Sequence, residues 1–291
     1  MFAPTQLAAL VSVVDHGTFE AAARALHVTP SAVSQRVRAL EAQVGQVVVT
    51  RAAPCRATAS GEVLVALGRQ TELLATEASR RLGGDAGPQA VAVAVNADSL
   101  ATWFHDVIEA VAGWSGVALE VHVEDQGHSA RLLREGRVLA AVTSDDQPVQ
   151  GCSVRPIGAL RYHPVVDADL LERVGGPGAV DWRRLPLVRF NELDTLQHEQ
   201  LERLGVPPPD VVHRVPTTAD MAEAVRRGLG WGMFLDGQLD EPGTGARPGR
   251  RVVPLPGGRT SSVPLFWQRW RVRSEVLDRL TDAVLAAAPG R

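Results

Sequence analysis

From Thr5 to Val14 the apolar residues Leu7, Leu10, Val11 and Val14 recur at steps of three and four, the period of a helix with one buried face. Thr18 stands where an N-cap belongs, and Phe19, Ala22, Ala23 and Leu26 then form the inner face of a second helix. After the turn His27-Val28-Thr29-Pro30 comes "TPSAVSQRVRALEAQVG", with Val33, Val37, Leu40 and Val44 as a third apolar stripe. Pro30 suits the first turn of that helix, where its missing N–H costs nothing, and Gly45 ends it. Three short helices, the last two joined by a tight turn, predict a helix-turn-helix unit.

The stretch "QVVVTRAAPCRATASG" predicts two short strands around Ala52-Ala53-Pro54, a wing. From Thr58 to Leu82 the pattern is helical again. Leu64, Leu67, Thr71, Leu74 and Ala78 alternate steps of three and four, a short seam that predicts helix pairing between subunits. Gly83 to Pro88, "GGDAGP", reads as a linker.

Beyond the linker the pattern changes. Ala90 to Val95 is a continuous apolar strand, followed by a helix with Leu100, Phe104, Val107 and Val111 inward. Strand "VALEVHV", helix "SARLLREG" and strand "VLAAVTS" follow, then strand "LPLVRFN", helix "TTADMAEAVRRG", strands "WGMFLD" and "VPLFWQRW", and a last helix from Ser274 to Ala287. Such alternation predicts an α/β domain with a largely parallel sheet, long enough for two lobes. The expected domains are a winged helix-turn-helix over 1–58, a linker helix and hinge over 59–88, and a two-lobed α/β domain over 89–291. The lobes should part near Leu160, with about 89–160 and 264–291 in the first and about 161–263 in the second.

Length and composition fit this plan: 291 residues, 45% hydrophobic, suffice for two or three domains with full cores. No apolar run is long enough to cross a bilayer. The N-terminus lacks a basic n-region and is interrupted by Asp15 and Glu20, so it does not read as a signal peptide. Cys55 and Cys152 lie too far apart in sequence to suggest a disulfide framework. The expected location is cytoplasmic, with no membrane partner. Net charge is −3, yet between Ala21 and Ser60 the only acid is Glu41, against Arg24, Arg36, Arg38, Arg51 and Arg56. That local excess is the electrostatic footprint of a nucleic-acid partner. Every basic residue is Arg, which genome base composition explains. The histidines show no paired metal spacing, Cys55 reads as a small packed thiol, and no nucleophile-elbow, Walker or dinucleotide pattern occurs. Neither an enzyme nor a metal or cofactor is expected.

On the third helix Ser31, Ser34, Gln35 and Arg38 share one face, and none is acidic. Serine and glutamine hydrogen-bond base edges, and arginine bridges guanine bidentately. An ordinary solvated face would carry the same residue types. The preceding helix, the turn, the wing and the local charge decide for double-stranded DNA, with Thr29, Pro30, Arg36, Arg51 and Arg56 completing the expected contact set.

Phe19 to Arg38, "FEAAARALHVTPSAVSQRVR", resembles the DNA-binding motif of the LysR-type transcriptional regulators, and "LEAQVGQVVVTRAAPCRATASGEVL" resembles that family's wing and the start of its linker helix. The likeness runs through the first 80 or so residues. Farther on, "VNADSLATWF", "VEDQ", "IGALRYHPV" and "GWGMF", with "RAAPCRAT" in the wing, are similar to the branch of the family that controls export of basic amino acids. The resemblance implies a dimerising linker helix and a homodimer or homotetramer. It also implies an effector domain of periplasmic-binding-protein type, L-lysine or L-arginine as effector, and an exporter gene as target. RNA polymerase is an implied partner, with activation or repression set by where the operator lies.

A basic amino acid needs N–H and hydroxyl donors for its carboxylate and carboxylates for its cationic ends. Asn96 to Thr102 leaves a strand and opens a helix, where unpaired N–H groups attract anions, and Ser99 and Thr102 lie one turn apart. The same turn serves as a plain N-cap if Asp98 or Ser99 only caps its own helix. The resemblance favours the ligand, because it implies that this turn lines the cleft between the lobes. For the cationic end the candidates are Asp98, Glu124, Asp125, Asp145, Asp146, Glu192 and Asp194, with Asp125 favoured because it follows a strand end. Thr143 and Ser144 close another strand, and Thr217, Thr218 and Asp220 open a helix of the second lobe. Trp103 could stack on a guanidinium or serve as core. A solute-binding protein without a DNA role is the competing reading, and the N-terminal motif stands against it.

Overall fold

The computed structural model describes residues 1–84, 87–124, 129–239 and 251–290. It opens with α1 (Pro4–His16), α2 (Phe19–Ala25) and α3 (Pro30–Val44). Each start has a local cause. Pro4 and Pro30 sit in first turns, and the hydroxyls of Thr18 and Thr29 accept from the Ala21 and Ala32 N–H groups at 3.1 and 3.2 Å. Gly17 and Gly45 close α1 and α3 in left-handed conformation. The turn before α3 places His27 at φ +53°. Leu7, Leu10, Val13, Ala22, Val33, Val37 and Leu40 fill one core.

The strands β1 (Val49–Thr50) and β2 (Arg56–Ala57) pair antiparallel as the wing. α4 (Ala59–Arg81) follows, capped by Thr58. Its first turns are welded to the helical head. A Cβ on Gly61 would lie 1.9 Å from the Val48 carbonyl oxygen, one on Gly68 would meet Val11 Cγ2 at 2.8 Å, and Leu64 and Val65 join the head's core. The seam expected along this helix is therefore split. Leu64 is buried inside the chain, whereas Leu67 and Leu74 are 39% and 42% exposed, beside Val63 at 69%.

The α/β portion runs β3 (Gln89–Val95), α5 (Ala97–Leu100), α6 (Phe104–Ala112), β4 (Val117–Val123), α7 (Ser129–Arg134) and β5 (Ala140–Thr143). It continues through β6 (Cys152–Asp167), α8 (Ala168–Arg173), β7 (Leu187–Arg189), α9 (Leu196–Leu204), β8 (Val212–Arg214) and α10 (Thr218–Arg226). It closes with β9 (Gly232–Leu235), β10 (Val252–Pro254), β11 (Ser261–Trp270) and α11 (Glu275–Ala287).

The chain forms two compact units, one of Met1–Asn96, Val107–Arg155 and Phe266–Ala286, the other of Ala97–Asp106, Pro156–Leu265 and Ala287–Arg291. The chain passes between them within or beside β6 and β11, at 155–156 and 265–266, and the stretch 97–106 belongs to the second unit. In the first unit β3 lies between β4 and β5, parallel to both, and β11 returns antiparallel to β5. In the second unit β6 pairs antiparallel with β9 and β10, while β7 and β8 run parallel. The sheet is thus mixed rather than largely parallel. The long strands β6 and β11 carry the chain back and pair antiparallel with strands that follow crossover helices. The core of the second unit gathers Val165, Val188, Met221, Ala222, Val225 and Phe234.

Candidate functional site: a helix-turn-helix face and a half-buried carboxylate

α3 exposes Thr29, Pro30, Ser31, Gln35 and Arg38, half-buries Ser34 and Arg36, and turns Val33, Val37 and Leu40 inward. The four residues proposed to share a face do so, on the helix that follows the tight turn. Thr29 is the N-cap and its hydroxyl lies 3.0 Å from the Ser31 hydroxyl. Both wing arginines, Arg51 and Arg56, are exposed, and Arg51 also lies 3.8 Å from Glu41 and over the Phe19 ring at 5.4 Å.

The second unit contains an unusual carboxylate. Asp98 sits on α5 and accepts two short hydrogen bonds, from the Tyr162 hydroxyl and the Thr218 hydroxyl, both at 2.7 Å. β6 supplies Tyr162, registered against Leu235 of β9. α10 supplies Thr218: its N-cap Thr217 fixes the first turn, and Gln238 Nε2 donates to the Thr218 carbonyl at 3.4 Å. Burial pushes the Asp98 pKa up, the two hydroxyls pull it down, and the charge of Asp194 pushes it up again, with the net direction upward from the ordinary 3.8. No cation among the described residues contributes to that balance. Asp194 is itself fixed by the Phe190 and Leu196 N–H groups and by Gln197 Nε2 at 3.0–3.2 Å. The charge of Asp194, in the loop before α9, thus adds to the cost of ionising Asp98, a cost that a bound cation would relieve.

The remaining candidates fall into place around these. Ser99 is fully buried, and the Thr102 hydroxyl donates back to the Asp98 carbonyl at 2.6 Å. The turn at Asn96–Thr102 opens a helix of only four residues, Ala97–Leu100, separated from α6 by Ala101–Trp103. The continuous helix expected there is broken, so the dipole available to a carboxylate is small. Trp103 is half-buried, meets the Phe104 ring edge-on at 5.5 Å, and buries an indole N–H that has no hydrogen-bond partner among the described residues.

In the first unit Thr143 is buried and donates to the Asp145 carbonyl at 2.9 Å, beside Gln268, whose amide holds the Asp145 and Gln147 carbonyls. Its hydroxyl organises that loop. Ser144 is half-buried, and Asp145 and Asp146 are exposed and bonded to Gln147. Asp220 is exposed and closes a capping pair with Thr217. Glu192 is exposed and pairs with Arg214 at 3.3 Å, and Glu124 N–H bonds the Val95 carbonyl. Asp125, the favoured acid, lies outside the described residues. Sequence reading passed over Tyr162, because its partner is 64 residues away and nothing local marks it. Among the described residues no cluster of His, Cys, Asp and Glu could hold a metal, and no helix is long and apolar enough to cross a membrane.

Comparison with known proteins agrees with the head and the two-unit portion alike. Residues 4–62 match the model of the bacterial regulatory helix-turn-helix protein, lysR family, and residues 84–289 match the LysR substrate binding domain. The lysine export transcriptional regulatory protein LysG of Corynebacterium glutamicum is 43% identical over 289 residues, covering 98% of this chain and 97% of that protein. The solved structure of full-length C. glutamicum LysG with bound effector Arg superposes with a TM-score of 0.82 at 40% identity, covering 98% of this chain and 97% of that one. ArgP from Mycobacterium tuberculosis does so with a TM-score of 0.84 at 42% identity, covering 100% and 98%. These relatives are transcriptional regulators, not enzymes. With a DNA-reading head and a substrate-binding domain matched across nearly its whole length, the chain belongs to the LysR family of bacterial helix-turn-helix regulators.

Proposed function

We propose that this regulator senses a basic amino acid, L-lysine or L-arginine, through Asp98, and that it controls an amino-acid exporter gene from the cytoplasm. The observation that carries the reading is the Asp98 carboxylate, fixed by Tyr162 and Thr218 at 2.7 Å and repelled by Asp194. A guanidinium or ammonium group at Asp98 would pair with its carboxylate and offset the nearby charge of Asp194, which a neutral side chain cannot do. The Trp103 indole N–H offers a donor for a carboxylate or carbonyl of the ligand. Ser99 remains part of the proposed binding set, whereas Thr102, Thr143 and Asp220 act through the turns they hold. The arginine bound to C. glutamicum LysG supports the same ligand class.

On the DNA side Ser34, Gln35 and Arg38 read base edges while Thr29, Ser31, Arg36 and Arg56 anchor to phosphates. Exposed Val63, Leu67 and Leu74 on α4 support pairing of two chains, in a homodimer or a homotetramer. Effector binding then shifts the balance between two arrangements of the heads, and RNA polymerase reads the result.

Calorimetric titration of the purified protein with L-arginine, L-lysine and L-leucine tests the reading. Saturable binding of a basic amino acid, absent for L-leucine and lost in Asp98→Asn, is the expected result. Equal heats for all three, or unchanged affinity in Asp98→Asn, would overturn it.

A further inference from the structure

The linker helix α4 carries a buried carboxylate for which DNA binding and effector binding have no use. Glu77 Oε1 accepts hydrogen bonds from the Ser274 hydroxyl at 2.5 Å, from Gln89 Nε2 at 3.3 Å and from the Val276 N–H at 3.4 Å. Glu77, Ser274 and Gln89 are all buried. Gln89 opens β3, and its other amide atom accepts from Arg80 at 3.0 Å. Ser274 also accepts from the Leu277 N–H at 3.3 Å, so the carboxylate docks on the first turn of α11, where the helix dipole favours negative charge. Arg81 and Glu275 add an exposed pair at 3.7 Å. A buried charge is costly unless it is fully bonded, and such groups serve best to fix one arrangement against its alternatives.

The position of this clasp gives it a role. The N-terminal half of α4 is welded to the DNA-reading head through Gly61, Leu64, Val65 and Gly68. Helix and head therefore turn together. At the other end of α11, Ala287 onward belongs to the second unit, where Gly290 packs on Gly158 of β6, the strand that carries Tyr162. The chain of α11 thus runs on into the unit that holds Asp98, and its first turn is gripped by Glu77.

We propose that Glu77 is the positioning residue that couples the effector domain to the DNA-reading heads, by clasping the linker helix to the first turn of α11. The proposal rests on the basic amino acid reading for its ligand, but the clasp itself does not. A chain of contacts does not by itself demonstrate coupling, so the test reads coupling directly. Wild type, Glu77→Ala, Glu77→Gln and Ser274→Ala are compared, after thermal melts confirm folding. L-arginine affinity is measured by calorimetry, half-site DNA affinity by anisotropy, and the nuclease footprint on the gene's own upstream region with and without L-arginine.

The expected Glu77→Ala protein keeps both affinities within about twofold, as for sites that do not touch. Its ligand-free footprint differs in extent from wild type and no longer changes with L-arginine. Glu77→Gln, which keeps an acceptor for Ser274 and Val276, restores the response, and Ser274→Ala weakens it. A Glu77→Ala footprint identical to wild type in both states would overturn the clasp. If wild type ignores L-arginine and L-lysine alike, the effector reading fails by itself. The clasp is then judged on the ligand-free footprint, where identity of Glu77→Ala with wild type would sink it.

Discussion

The Thr218 hydroxyl donates a 2.7 Å hydrogen bond to Asp98 Oδ1 across 120 residues of chain. With Tyr162 on the other oxygen, the carboxylate is fixed before any ligand arrives. Preorganisation of this kind lowers the ordering cost of binding.

Removing either hydroxyl should therefore weaken effector binding without abolishing the fold. Hydrogen bonds to charged groups are worth about 1.5–3 kcal/mol, so Thr218→Val or Tyr162→Phe should raise the effector Kd roughly tenfold or more. Calorimetry on each variant checks this. An unchanged Kd in both would show that Asp98 needs no positioning.

The raised Asp98 pKa fixes the sign of two pH effects. In the folded, ligand-free protein this carboxyl holds its proton to higher pH than in the unfolded chain, where 3.8 is ordinary. The folded state then binds more protons between those two values, so the stability this group contributes is full below 3.8 and is lost as pH rises through the raised pKa. Asp98→Asn should accordingly melt higher than wild type at neutral pH, with the gap closing in acid. Effector affinity should run the other way, rising with pH as the carboxylate ionises. Melting curves and titrations across the acid range test both signs.

The DNA face gives a prediction separable from the effector. The double variant Ser34→Ala, Arg38→Ala alters a polar face and leaves the buried Val33, Val37 and Leu40 intact. Loss of a bidentate arginine contact costs about 1–3 kcal/mol, so operator affinity should fall roughly tenfold to a hundredfold. Effector affinity and melting temperature should not move. Wild-type DNA binding in this variant would refute the assignment of the face.

Packing at the head–linker join is tight enough to predict a stability effect. A methyl on Gly61 would sit 1.9 Å from the Val48 carbonyl oxygen, a backbone atom that cannot turn aside. Gly61→Ala should destabilise the head by about 1–3 kcal/mol, read as a lower denaturation midpoint. A midpoint at or above wild type would contradict the weld.

Much of this was legible in the sequence because its causes are local. Thr18, Thr29 and Thr58 cap the helices they precede, and Gly17 and Gly45 end theirs. Asp98 and Thr218 stood out for the same reason, each opening a helix. What escaped depends on distant partners. β6 spans sixteen residues with Pro156, Gly158 and Pro164 inside it, a composition that argues against a strand until β9 and β10 pair with it. Tyr162 gains its meaning only from Asp98, and Glu77 only from Ser274, 197 residues away. Leu64 matched the seam's spacing, yet the head's core claims it, because periodicity shows a face and not what covers it.

The most direct test of the account is a nuclease footprint of the purified protein on its own upstream region and on the promoter of the proposed exporter gene, with L-lysine, L-arginine, L-leucine or no addition. The account predicts protection whose extent changes with a basic amino acid and not with L-leucine. Protection that is the same under all four conditions would contradict the effector reading, and no protection of either DNA would contradict the proposed target.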